Sequence, residues 1–144
     1  MAVVKSKRGK STLETYTKAN ALATYTIQIC SNEKYFPKHY RWCITSKIVD
    51  AAIEITNNIT KANSITVKVC EEYTLRRVYQ DKALAATYAL LSMMDIAYRT
   101  FGIEANRMEH WTGLVIEVQN LLRSWKHSDE QRYKEYWVDG CKNV

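Results

Sequence analysis

The segment Phe36-Pro37-Lys38 opens the stretch that most constrains the fold, because the residues after the single proline separate into two faces at helical period. Placed at about 100° per residue, Trp42, Thr45, Ile48, Val49, Ala52, Ile53, Ile55, Ile59 and Ala62 share one broad face. Cys43, Ser46, Lys47, Asp50, Glu54, Asn57, Asn58 and Lys61 fall opposite. A proline is accommodated in a first helical turn, where its missing N–H has no intrahelical partner and its fixed φ is already helical. The pattern therefore predicts a helix that starts at Pro37 and runs to Ala62. One proline and four glycines in 144 residues favour long helices with short connections over a turn-rich β fold. A hydrophobic content of 47% supplies a core.

Three further helical patterns surround this one. The first covers residues 11–31, with Ser11 as N-cap and Glu14 completing a capping box. Its apolar face collects Leu13, Tyr16, Ala19, Leu22, Ala23, Ile27 and Cys30. The third covers residues 71–101, with Leu75, Tyr79, Ala86, Ala89, Leu90, Met93 and Ala97 on one side and Gly102 placed to end it in a left-handed conformation. The fourth, residues 106–127, is the most regular: Met108, Trp111, Val115, Val118, Leu122 and Trp125 alternate three- and four-residue steps. Gly113 in its middle costs about 1 kcal/mol against alanine and implies close approach of another helix. Residues 63–69 lean towards β structure but are too short for a sheet, so they read as an extended connector. From Ser128 the chain either begins a new short helix or continues the fourth.

These patterns predict an all-α protein, an antiparallel up-down-up-down four-helix bundle over residues 11–127. A basic, flexible arm (1–10) precedes it and a polar, aromatic tail (128–144) follows. Leu84, Tyr88 and Leu91 form a second seam on the third helix, directed away from its core face. A single bundle uses one seam per helix, so these residues predict an interface in a homo-oligomeric ring closed by heterologous contacts.

No catalytic or metal-binding set is legible. The residues three before His39, His110 and His127 are Phe36, Arg107 and Ser124, so the Glu-x-x-His pairs of a di-iron bundle are missing. No zinc-protease motif, phosphate-binding loop, dinucleotide fingerprint or nucleophile elbow occurs. Asp50 and Glu54 share their face with Lys47 and Lys61 and read as a solvated surface. The reading is a non-enzymatic protein without cofactor or metal. Cys30, Cys43, Cys70 and Cys141 are isolated in sequence, and no apolar export segment follows the N-terminal charges. A reduced, cytoplasmic chain is expected, with Cys30 and Cys70 as packing residues. The apolar run 83–94 is too short to span a bilayer, so no membrane partner is expected.

A formal charge of +6 favours a polyanionic partner. Lys5, Lys7, Arg8 and Lys10 make the densest cluster, able to neutralise phosphates without reading bases. Lys38 with Arg41, and Arg76 with Arg77, are weaker pairs that nearby carboxylates could satisfy. Arg132 and Lys134 alternate with Tyr133, Tyr136 and Trp137, the mixture of cations and π-faces that binds single-stranded nucleic acid. Alternatively, those aromatics fold back over the end of the bundle.

Phe36-Pro37-Lys38, Arg41-Trp42, Ile44-Thr45-Ser46-Lys47-Ile48 and Ala51-Ala52-Ile53-Glu54-Ile55 together resemble the second-helix pattern of a four-helix-bundle family. That family includes proteins encoded in intervening sequences of 23S ribosomal RNA genes and the accessory variability determinants of diversity-generating retroelements. Lys82-Ala83-Leu84-Ala85, the run from Leu90 to Ala97 and the turn Phe101-Gly102-Ile103 are similar to its third helix. The resemblance covers residues 13–126 and is closer to the retroelement branch. It implies a homopentamer that binds a reverse transcriptase and structured RNA and is needed for error-prone cDNA synthesis. Thr56-Asn57-Asn58-Ile59-Thr60 lacks the proline found there in much of the family. Two alternatives stand beside this function: an RNA-binding protein of the ribosomal intervening-sequence type, and a protein-only structural scaffold.

Overall fold

The computed structural model describes residues 7–136, with side chains from Thr12 onwards. It contains four long helices: α1 (Lys7–Cys30), α2 (Ser46–Ser64), α3 (Cys70–Phe101) and α4 (Ala105–Arg132). A 3₁₀ turn (Lys38–Tyr40) and a π-helical turn (Arg41–Thr45) lead into α2, and no strand occurs among the described residues. α1 packs on α2 and α4, α2 on α3, and α3 on α4, so the four helices enclose one core.

In α4 the expected seam is the buried one: Trp111, Val115, Val118, Leu122 and Trp125 are all shielded from solvent. In α2 the same holds for Ile48, Ala52, Ile55, Ile59 and Ala62. Asn58, expected on the polar face, is nevertheless buried, its Nδ2 donating to Glu54 O at 3.0 Å and Glu54 Oε1 at 2.9 Å. Of the expected connector 63–69, Asn63 and Ser64 belong to the end of α2, and the chain between α2 and α3 is extended at Ile65 and Val69. Gly102 ends α3 with φ +66°, and its N–H donates to Tyr98 O at 2.9 Å.

Elsewhere the buried stripe is rotated relative to the apolar pattern. α3 turns Tyr73, Arg76, Gln80, Ala83, Thr87, Leu90, Met94 and Ala97 inward, while Leu75, expected in the core, is 47% exposed. α1 buries Thr12, Thr15 and Thr26 beside Ala19 and Leu22, and leaves Leu13 and Ile27 largely outside. Internal hydrogen bonds make this tolerable, because a buried hydroxyl or amide costs little once it is paired. Thr26 Oγ1 donates to Leu22 O at 2.8 Å and accepts from Trp111 Nε1 at 3.0 Å. Thr87 Oγ1 donates to Leu84 O at 2.6 Å and accepts from Gln119 Nε2 at 3.0 Å.

Several boundaries also differ from expectation. Ser11 lies inside α1 and does not cap it, because extending a formed helix upstream through residues 7–10 is easier than nucleating a new one. α4 continues to Arg132, which resolves the choice left open after residue 127. Gly113 does not mark a close helix contact, since a methyl group added there would meet nothing within 4 Å. Gly113→Ala is therefore expected to raise the unfolding free energy by about 0.5–1 kcal/mol; a lower denaturant midpoint would contradict the open site.

Cys70 is disulfide-bonded, so the expectation of a wholly reduced chain with Cys70 as a packing residue is corrected. The start of α3 lies against the stretch after α4, where Tyr136 donates its hydroxyl to Lys68 O at 2.9 Å. Cys30 and Cys43 are free thiols, buried and exposed respectively. Burial pushes the Cys30 thiol up to about 12, so it stays protonated and shielded at neutral pH. In the native protein iodoacetamide at pH 8 should modify Cys43 and spare Cys30 until denaturant is added; mass spectrometry of peptides from the two states checks this. Because the folded state holds the Cys30 proton more tightly than the unfolded chain does, this residue makes stability fall as pH rises from about 9 towards 12.

Candidate nucleic-acid interface

The predicted helix start at Pro37 does not form. Pro37 has φ −56° and ψ 136°, an extended conformation, and the chain then makes one 3₁₀ turn before widening. The cause lies in the preceding residues. Tyr35 and Phe36 are buried, and Phe36 meets the Phe101 ring at 5.5 Å and the Trp111 ring at 6.1 Å. The chain must climb from this anchor into α2, and it does so with a π turn in which the Ser46 N–H donates to Arg41 O, five residues back. One extra residue in a turn displaces everything before it by about 100° relative to the α-helical register.

Trp42 is carried outward by that displacement. Expected in the core, it is instead 80% exposed, the most exposed of the large hydrophobic side chains among the described residues. Around it lie Lys38, His39, Tyr40 and Arg41, all exposed. Neither Lys38 nor Arg41 forms an ion pair with a described carboxylate. Tyr40 packs against Phe101 at 5.1 Å and against His39 at 5.2 Å. A ladder of rings thus runs from Trp111 in the core through Phe36, Phe101 and Tyr40 to the surface, fixing the segment from within. Two cations, an imidazole and two accessible π-faces on one short segment can hold phosphates and stack bases together.

The other sequence-predicted contacts separate into distinct groups. Arg76 is withdrawn from the RNA-binding set: it is 3% exposed and clamped to Asp129, with Nε to Oδ2 at 2.6 Å and Nη2 to Oδ1 at 3.2 Å. Gln80 Nε2 donates to Asp129 Oδ2 at 2.8 Å, Arg76 Nη1 donates to Ile65 O at 3.2 Å, and the guanidinium lies 5.2 Å from the Trp125 ring centroid. Arg77 is half-buried and paired with Glu130. Burial lowers its pKa, but hydrogen bonds to Glu130 and Tyr73 outweigh this and hold it above the ordinary value. Its charge is therefore largely satisfied within the protein.

Of the C-terminal aromatics, Tyr133 is buried against Tyr73 at 5.6 Å and lies 6.2 Å from Tyr136, so these rings cover the bundle end. Arg132 and Lys134 remain exposed beside them. Lys5 lies outside the described residues; Lys7, Arg8 and Lys10 are in the first turns of α1 by backbone, and their side chains are outside the described set. Leu84 and Leu91 pack, half-buried, against the core of their own chain, which corrects the expectation that they point away from it. Tyr88 is 51% exposed, with its hydroxyl bonded to Arg123.

Trp42, Tyr40 and His39 are the residues that sequence reasoning missed. Their signal was the unbroken cation and aromatic run Lys-His-Tyr-Arg-Trp directly after the only proline; a uniform helical period assigned its tryptophan to the core. Among the described residues, no helix is long and apolar enough to cross a membrane, and no group of three or more His, Cys, Asp or Glu is placed to hold a metal ion. Comparison of the chain with protein-family models, with curated proteins and with solved structures returned no match.

Proposed function

We propose that this chain is a non-enzymatic RNA-binding accessory protein of a diversity-generating retroelement, which positions structured template RNA for a reverse transcriptase. The observation that carries the RNA-binding part is the solvent-facing Lys38–Trp42 segment, whose cations form no ion pair among the described residues and whose tryptophan is exposed. The reverse transcriptase rests on the sequence resemblance alone. In this reading the helices run up-down-up-down, supported by Thr26 late in α1 meeting Trp111 early in α4, and by Arg76 early in α3 meeting Asp129 late in α4 while Thr87 meets Gln119 midway along both. Several copies form a ring, which repeats each weak cluster and gains effective concentration without new contacts.

Affinity for the element's RNA should fall linearly in log K with log salt. Lys38→Glu with Arg41→Glu should reduce that slope by about 1.4–1.8, the share of two phosphate contacts. Salt-insensitive binding, or an unchanged slope in the double variant, would exclude this surface. Failure to co-purify with the adjacent reverse transcriptase, or to support its cDNA synthesis, would remove the retroelement assignment. Binding to ribosomal RNA in its place would favour the intervening-sequence type.

A further inference from the structure

Beside the exposed segment lies a cleft of about 450 Å³ between the end of α1 and the π turn, within the range of about 300–1,000 Å³ typical of small-molecule sites. Ile27, Phe36, Pro37 and Val49 give it apolar walls. Lys38 and Arg41 bring positive charge, while Glu33 and Asp50 bring carboxylates. Thr45, which also lines the cleft, has a buried Oγ1 without a hydrogen-bond partner among the described residues. A buried hydroxyl left unpaired carries its full desolvation cost, and a threonine in a helical turn ordinarily avoids that by bonding the carbonyl one turn back.

We infer that this cleft receives a single unpaired nucleotide of the bound RNA, one whose base carries an amino group. The inference rests on the RNA-binding reading and gives it a subsite. A nucleotide needs flat apolar walls for its base, acceptors for its amino edge and cations for its phosphate, and the cleft supplies all three. Glu33 and Asp50 accept from the base, Lys38 and Arg41 hold the phosphate, and the Thr45 hydroxyl, shielded in the free protein, finds its missing partner once its side chain rotates toward the cleft. The carboxylates discriminate against an acidic peptide, which would satisfy the cations but not them. A base inside a duplex has its edge occupied and its faces stacked, so only a bulged or single-stranded base can enter. Trp42, next to Arg41 in the chain, offers a stacking face to the neighbouring base.

The test compares an RNA hairpin carrying one bulged guanosine with the same hairpin fully paired, at fixed salt, by fluorescence anisotropy. The protein should bind the bulged form more tightly and prefer a bulged guanosine, cytidine or adenosine over uridine. Thr45→Val should lower affinity for the bulged hairpin by about five- to tenfold, the loss of one hydrogen bond, without altering affinity for the paired one. Its thermal midpoint should be unchanged or higher, which separates lost contact from lost fold. Asp50→Asn should reduce the preference over uridine. Equal affinity for the two hairpins, or wild-type behaviour of both variants, would overturn the cleft; if the Lys38 and Arg41 salt dependence persisted, the broader RNA reading would stand. Should Thr45→Val weaken reverse-transcriptase capture while sparing both hairpins, the cleft is a protein-docking site and the inference is wrong.

Discussion

Replacing Asp129 with alanine is expected to destabilise the protein by about 3–5 kcal/mol, because it strands a buried guanidinium. Arg76 would retain only Ile65 O and the face of Trp125 in a site from which water is excluded. Gln80 would lose its acceptor at the same time. A cost of this size is a large share of the 5–15 kcal/mol that stabilises a typical domain. Removing both charges is a different experiment. Arg76→Met with Asp129→Leu replaces the pair with apolar side chains, and such replacements are often near neutral, since two buried charges are desolvated at a cost comparable to their attraction. Urea denaturation should therefore place the double variant well above Asp129→Ala. A double variant as unstable as the single one would mean that the pair contributes net stability beyond mutual compensation. RNA affinity of the double variant should match that of the wild type, because neither side chain reaches the surface.

Trp111→Ala should also cost about 3–5 kcal/mol, but with a functional consequence that Asp129 lacks. Trp111 is completely buried, donates to Thr26 Oγ1 and supports the Phe36 ring. Phe36 in turn positions Pro37 and the turn that displays Lys38, Arg41 and Trp42. The alanine variant should weaken RNA binding even at temperatures where it remains folded, whereas Trp111→Phe, which keeps a ring against Phe36, should keep most of the affinity. Circular dichroism and anisotropy on the same samples check both readouts. Wild-type RNA affinity in a folded Trp111→Ala protein would disconnect the ring ladder from the surface segment.

The contrast between these two sites follows what could be read from the chain. The α4 seam and the core face of α2 were legible because aliphatic and aromatic residues make up most of what they bury, with Asn58, Gln119 and Asp129 as the polar exceptions, and burial of apolar area is what periodicity measures. Gly102 was legible for a local reason, the left-handed backbone that ends a helix. On α3 the same procedure chose Leu75 and missed Arg76, Gln80 and Thr87. Sequence spacing assigns a cation to solvent unless its partner is known, and Asp129 lies 53 residues away. The tail aromatics were left with two outcomes, and contact between Tyr133 and Tyr73 settled that pair.

The candidate surface shows the same division. The residue types for phosphate and base contact stood together in the chain from Lys38 to Trp42, but their direction did not. By itself the sequence determined that this protein is built of long helices joined by short connections, because that depends on local propensity and on the spacing of apolar residues. Tertiary structure decided which polar residues could enter the core, since each needed a distant partner to offset its desolvation. It also decided that Trp42 faces outward: the buried Phe36 anchor, held by Phe101 and Trp111, forces an extra residue into the turn before α2 and shifts the helical register there.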